Sequence, residues 1–310
     1  MSTRLVFDRV RRALAGVGGA TAASTMPPAV EGRPDDYRLA ASKVVEGAGL
    51  AVRAVGGAEP LTEPVAFLDG TQRYEIVSYL DTSPVVAGVV AAAVRLRTGG
   101  EFRTITREER RILVGRPEAL EVVAPLVDGF DRVEARGEGR LHPLKELEFA
   151  HRAIDDRRSA LERSVGQRFR RSHPDCWLVV DGVLPDEDQW ATDPHAIGVS
   201  KSHATLPFGG DDLSTYLSVP EGHRTSVFEP ATGRSMPVHS WGLRLWPYAG
   251  KDLLHGLVRV EVAATANPTA RADRLSRWLL AERAPLSRPD PRWDRLLYGV
   301  AAVERHLRAR

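Results

Sequence analysis

The stretch Val65-Ala66-Phe67-Leu68-Asp69-Gly70-Thr71 is an apolar run closed by an acid and a glycine. It has a counterpart further along the chain, Cys176-Trp177-Leu178-Val179-Val180-Asp181-Gly182. Short continuous apolar runs bounded by Asp-Gly read as buried strands that end where the glycine permits a turn. An aspartate at the end of a buried strand is costly unless it is paired, hydrogen-bonded or metal-bound. Two of them on neighbouring strands repel unless a cation lies between. Asp-Gly is also a common turn dipeptide, so the weight lies in what separates the two runs.

After the first run, Tyr74 to Leu80 and Val85 to Leu96 read as two further strands joined by short turns, an antiparallel meander. Residues 106–127 are mixed and read as helical. Residues 143–171 carry the longest periodic stretch, with Pro143 suited to a first helical turn and Leu147, Ala150, Ile154, Leu161, Val165 and Phe169 at helical spacing. His173-Pro174-Asp175 breaks this helix, and the second Asp-Gly strand follows. Ala196 to Ser200 leads into Lys201 as the next strand, and Trp241 to Trp246 and Leu257 to Ala263 read as later ones. Residues 270–283 and 293–309 read as C-terminal helices. Upstream, residues 1–16 read as an amphipathic helix, 17–37 as a Gly, Ala, Ser and Pro-rich arm, and 38–54 as a second helical stretch. The expected organisation is thus an N-terminal helix and flexible arm over 1–37 and one domain over 38–310.

Strand with Asp, two-strand meander, long helix, strand with Asp is the element order of an RNase H-like fold. The expected class is therefore α/β: an RNase H-like mixed sheet flanked by helices, with an N-terminal helical arm and C-terminal helices. In such a fold the first-strand Asp, a helix carboxylate and the fourth-strand Asp hold divalent metal through oxygen ligands, which suits Mg²⁺ or Mn²⁺. Two such ions about 3.5–4 Å apart activate water and stabilise the leaving oxygen of a phosphodiester. The long helix offers Glu146, Glu148, Asp155, Asp156 and Glu162. Glu148, Asp155 and Glu162 share a face, so face alone does not choose. Distance along the chain to Asp181 favours Glu162 over Glu148, which needs a longer return.

Composition narrows the classes further. The chain has 310 residues, 43% hydrophobic and 27% charged, ordinary for a folded globular protein. Its apolar run from Val85 to Val94 is too short for a membrane span. Arg4, Arg9, Arg11 and Arg12 precede no uninterrupted apolar core, so a secretory signal is not expected. The lone Cys176 excludes an internal disulfide and a cysteine-rich zinc site, and points to a reducing cytoplasm. Forty-three basic against 41 acidic residues leave a net charge of +2, which does not announce a nucleic-acid binder. Lysine stands only at Lys43, Lys145, Lys201 and Lys251, so the basic set is nearly all arginine, the residue of bidentate phosphate contacts. No Gly-x-x-x-x-Gly-Lys-Ser/Thr stretch is present, so movement driven by ATP must come from a partner.

Four stretches together resemble the NurA family of nucleases: Phe67-Leu68-Asp69-Gly70-Thr71, Leu178 to Leu184, Ile197-Gly198-Val199-Ser200-Lys201-Ser202, and Val258-Arg259-Val260-Glu261-Val262. They fall in the family's order over about residues 60–265. The resemblance implies a Mn²⁺- or Mg²⁺-dependent DNA nuclease that forms a homodimer and acts in end resection and repair, as an exonuclease, with a HerA-like hexameric ATPase that translocates DNA. It implies Asp69, Glu162 and Asp181 as catalytic metal ligands in a two-metal site, and Lys201 at the site edge, where an ammonium holds a phosphate. Thr71 stands where the family has serine. The family's late histidine has no counterpart between Asp290 and Tyr298; Asp290 or Asp294 are the candidate substitutes, and His306 comes late. That departure motivates an alternative, a degenerate NurA-like subunit that binds DNA or the translocase without cutting. A third reading, an ATP-using enzyme of the actin and sugar-kinase class, meets Asp69-Gly70-Thr71 without the intervening residue of its phosphate loop.

Overall fold

A computed structural model describes residues 3–15, 17, 20–22, 38–135, 142–231, 234, 236–249, 251–284 and 293–309. Most of the expected arm over 17–37 and the candidate Asp290 lie outside the described residues.

The chain begins with α1 (Thr3–Leu14) and four short strands, β1 (Ala20–Ala22), β2 (Arg38–Leu39), β3 (Lys43–Val44) and β4 (Val52–Ala54). Three long strands follow: β5 (Val65–Leu80), β6 (Ser83–Thr98) and β7 (Glu101–Gly115). Then come α2 (Pro117–Val123), β8 (Asp131–Glu134), α3 (Pro143–Ser172), β9 (Trp177–Asp181), α4 (Asp188–Ala191) and β10 (Ala196–Ser200). The last part holds β11 (Thr205–Leu206), α5 (Gly210–Leu217), β12 (His223–Thr225), β13 (Phe228–Glu229), β14 (Val238–Arg244), β15 (Leu257–Ala263), α6 (Pro268–Glu282) and α7 (Tyr298–Arg308).

The centre of the large sheet runs β7-β6-β5-β9-β10. β5, β6 and β7 pair antiparallel, while β9 lies parallel to β5 and β10 parallel to β9. A three-strand meander, a crossover helix and two parallel strands on the far side of the first strand is the RNase H-like arrangement, and the expected fold class is what the chain adopts. β15 and β14 extend the sheet antiparallel beyond β10.

Strand alternation sorts the core into two faces. Val65, Phe67, Trp177, Val179, Ile197 and Val199 pack with Trp278 and Leu279 of α6 and with Val300 and Val303 of α7. Ala66, Leu68, Leu178 and Val180 pack with Ile154, Leu161, Val165 and Phe169 of α3. β6 is covered on both sides, which explains its Val85–Val94 apolar run, interrupted by Gly88 alone. α3 starts where Pro143 fits the first turn and the His142 ring accepts the Leu144 N–H at 3.2 Å, and ends at His173. Val6, Phe7, Val10 and Leu14 of α1 are buried against Val77, Val85 and Leu113, so this helix is part of the core.

Several expectations are corrected. Residues 38–54 form the short strands β2, β3 and β4, because β11, β13 and β12 supply their backbone partners. Residues 106–115 belong to β7; Arg107 to Arg111 favour a helix, but the ladder with β6 satisfies the backbone and the helix waits until Pro117. Asp69-Gly70 ends no strand: β5 continues unbroken through it to Leu80 as one long partner of β6. The C-terminal stretch is a 3-10 turn at Trp293–Arg295 followed by α7.

Candidate active site

Asp69 has the same strand parity as Val65 and Phe67, and Asp181 the same as Trp177 and Val179. Both therefore project from the face that α7 covers. They line one cavity of about 610 Å³ together with Thr71, Lys201, Ser202 and Glu304. Arg73, Arg158 and Arg308 complete its charged wall.

Asp69 is only 8% exposed, and its Oδ1 accepts the Gly70 N–H at 2.8 Å. Burial pushes its pKa well above the ordinary carboxylate range; the charge of Asp181 adds to this, Lys201 opposes it, and Glu162 and Glu304 add again. Asp181, at the end of β9, accepts from Lys201 Nζ at 2.6 Å. Lys201 follows β10, so the parallel β9–β10 pairing is what brings the two together.

Glu162 reaches the site from the opposite side. It belongs to α3, and its side chain lies against Gly70: a Cβ there would come within 2.7 Å of Glu162 Cγ and Cδ. Glycine at 70 is thus the condition for helix and strand to meet with a carboxylate between them. Glu162 is paired with Arg158, one turn earlier, which also donates to Asp155 at 2.8 Å. Burial raises the Glu162 pKa, with Arg158 pulling it down and Asp181 up. For Arg158 burial opposes the charge, but Glu162 and Asp155 outweigh it and hold the guanidinium protonated. Arg158, Asp181 and Gly182 also border a second cavity of about 290 Å³, and Glu162 opens into that one with Leu68, Val183 and Trp190. Glu148 sits near the start of α3, about 21 Å from Glu162 along the helix at 1.5 Å per residue, and pairs with Arg152.

The structure brings Asp69, Asp181 and Lys201 together, and sets Glu162 beneath Gly70 with Arg158 between the two cavities. Asp294 is elsewhere: it is buried and accepts the Gly256 N–H at 2.6 Å. His306 contacts Thr104, and the half-buried His203 bonds the Leu257 carbonyl, where desolvation pushes its pKa down to about 4. Sequence reasoning missed Glu304, on the last helix, which is bonded to Arg308 at 2.6 Å and faces the cavity.

The donor chemistry fits a hard divalent cation. Every acid in the group offers oxygen, and the mutual repulsion that loads Asp69 is relieved by positive charge placed between it and its neighbours. In this structure Lys201 and Arg158 are the counter-ions. Among the described residues no three His, Cys, Asp or Glu side chains close round one point at metal-binding distance. The two acids a cation would need, Asp181 and Glu162, are held here by Lys201 and Arg158.

The strand order and the two aspartates it brings into one cavity define an RNase H-like α/β protein with an acidic, arginine-walled cleft. No family model matches the chain, and no curated protein matches it in sequence. Among solved structures it is similar to the crystal structure of the NurA nuclease from Sulfolobus solfataricus, with 12% identity, a TM-score of 0.49, and 83% of this chain and 81% of that chain covered. The fold assignment rests on the strand order, independently of that likeness. Among the described residues no helix is long and apolar enough to cross a membrane.

Proposed function

We propose that this chain is a divalent-metal-dependent DNA nuclease that hydrolyses phosphodiester bonds. The observation that carries the reading is the buried Asp69 beside Asp181, in one cleft whose wall also holds Lys201 and three arginines. Acids that repel one another select a cation, and the basic wall selects an anion that bridges to it; a phosphodiester satisfies both. The cleft volume falls within the roughly 300–1,000 Å³ of small-ligand sites, which suits a strand end better than the side of a duplex.

In this reading Asp69 and Asp181 would hold Mn²⁺ or Mg²⁺, and Glu162, now paired with Arg158, would be the third acid available to it. Bound there, such an ion supplies a lowered pKa for an attacking water and charge stabilisation for the leaving oxygen. Lys201, now on Asp181, and Arg158, now on Glu162, are the cations that would pair with a phosphodiester backbone. Arg73 and Arg308 hold flanking phosphates. The resemblance of the four sequence stretches supports exonuclease action in end resection and repair, by a homodimer with a HerA-like hexameric ATPase. The lack of a phosphate-binding loop in the chain fits a separate motor.

The test is a nuclease assay on 5′- and 3′-labelled duplexes and single strands with Mn²⁺, Mg²⁺ or chelator, comparing wild type with Asp181→Asn. Cleavage by wild type with either metal, abolished by chelator and by the substitution, is the expected result. DNA binding by wild type without cleavage under both metals overturns the reading in favour of an interaction subunit.

A further inference from the structure

Arg259-Val260-Glu261 lies in β15, outside the cleft, yet it acts on the chain that carries Asp181. Val258, Val260 and Val262 face the core under α6 and α7, so Arg259 and Glu261 face the other way. Glu261 is fully buried. The β10–β15 register sets it opposite Gly198. A Cβ on Gly198 would come within 2.8 Å of Gly182 O and Leu184 N and 3.1 Å of Val183 C. The segment leaving Asp181 therefore rests directly on the Gly198 backbone. Beside it, Glu261 Oε2 accepts the Leu184 N–H at 3.2 Å and a bond from Arg234 at 2.8 Å, while Arg259 Nε lies 3.5 Å from Oε1. At its other end the segment is tied by the Gly182 N–H to the Val199 carbonyl at 3.0 Å.

A fully buried carboxylate is an expensive way to fill a sheet position, and an apolar side chain of similar size does as well for packing. Glu261 supplies what an apolar residue does not: a fixed, charged acceptor for one backbone N–H of the turn that follows Asp181. Glycine opposite leaves the turn no other height above the sheet. We propose that Glu261 is a positioning residue: with Gly198 as the seat and Arg234 and Arg259 as its counter-ions, it fixes residues 182–184 and so sets where the Asp181 carboxylate stands relative to Lys201 and Asp69. The functional consequence rests on the nuclease reading; the clamp itself does not.

Two variants reach the clamp from opposite sides. Glu261→Gln keeps the shape and removes the charge; Gly198→Ala leaves Glu261 intact and lifts the turn. Hydrogen exchange over residues 181–185, measured on the full chain without metal, is expected to speed up about fivefold in Glu261→Gln, the difference between a charge-assisted and a neutral bond, and at least as much in Gly198→Ala, whose added Cβ pushes the turn off its acceptor, while exchange in α3 and β5 stays at wild-type rates. Mn²⁺ titration by calorimetry is expected to give a severalfold weaker half-saturation, with the cleavage rate at saturating Mn²⁺ close to wild type. A residue that serves stability alone would lower the active fraction and leave the half-saturation unchanged. Unchanged exchange over 181–185 in both variants, or faster exchange spread through the whole sheet, overturns the clamp. Wild type that binds no Mn²⁺ overturns the nuclease reading while leaving the exchange result to judge the clamp.

Discussion

The two Asp-Gly pairs look alike in sequence and do opposite things. At Asp181-Gly182 the strand ends; Gly182 has φ +125 and open space around its Cα, so the glycine serves the backbone. At Asp69-Gly70 the strand continues for ten more residues, and the glycine serves a neighbour, clearing room for Glu162. Their aspartates differ too. Asp181 has the Lys201 ammonium at 2.6 Å, whereas among the described residues Asp69 accepts only from the next backbone N–H and carries the repulsion of its neighbours. One pair is a turn with its charge matched by a bonded ammonium; the other is a mid-strand approach whose acid Lys201 offsets without bonding to it. The same dipeptide is read correctly only with knowledge of what lies across the sheet.

The largest effects come from removing either charge. Asp69→Asn and Asp181→Asn are each expected to lower Mn²⁺-supported DNA cleavage by about a thousandfold, several kcal/mol at 1.36 kcal/mol per decade, with the far-UV circular dichroism unchanged. Retained cleavage in either variant removes that aspartate from the proposed centre. The glycines give the next largest effects and separate the two pairs. Gly182→Ala puts a Cβ into a strained backbone without a clash and is expected to cost about 1–3 kcal/mol of stability, read by denaturant titration. Gly70→Ala meets the Glu162 side chain from Cγ to the carboxylate and no backbone, so the side chain is displaced from the strand at a stability cost of about 1 kcal/mol, and the larger loss falls on Mn²⁺ half-saturation. Equal stability losses at 70 and 182 would erase the distinction. Arg158→Met sharpens it from the other side: with Glu162 freed, Mn²⁺ binding tightens, while DNA binding weakens and its salt slope drops by about one.

Where one face or period dominates, the fold is legible in the residues. α3 is written in Pro143 and the Ala150–Phe169 stripe, and β9, β10 and β15 in short apolar runs. β7 is not, because Arg107 to Arg111 have intrinsic preferences for helix and only the long ladder with β6 makes them strand. Residues 38–54 fail for the same reason, since their partners in β11 to β13 lie far along the chain. In the site, Asp69 and Asp181 announce themselves by ending apolar runs. Glu304 does not: beside Arg305 and Arg308 it reads as an ordinary solvated helix face. Only the parity of Phe67 with Asp69, joined to the fact that α7 covers that face, points to it. The same parity explains why Glu162 stands apart from the two aspartates: α3 lies on the other side of the sheet.

The smallest expected effect tests the electrostatic load on Asp69 directly. Its pKa is raised in the folded chain, by burial first and then by Asp181. Below the unfolded value of about 3.9 the group is protonated in both states and costs nothing. As pH rises from there toward the folded pKa, the unfolded chain gives up the proton first, so stability falls; above the folded pKa the loss is complete. Asp69→Asn removes the titrating group and should therefore melt higher than wild type at neutral pH in chelator, by roughly 2–4 °C for each kcal/mol relieved. That gain should shrink toward zero as the pH is lowered to about 4. Saturating Mn²⁺ should reverse the order at neutral pH, since a ligand at a hundred times its Kd adds about 2.7 kcal/mol to the chain that binds it. A melting difference that stays constant between acid and neutral pH would mean that Asp69 carries no electrostatic load, and the two Asp-Gly pairs would then differ in backbone alone.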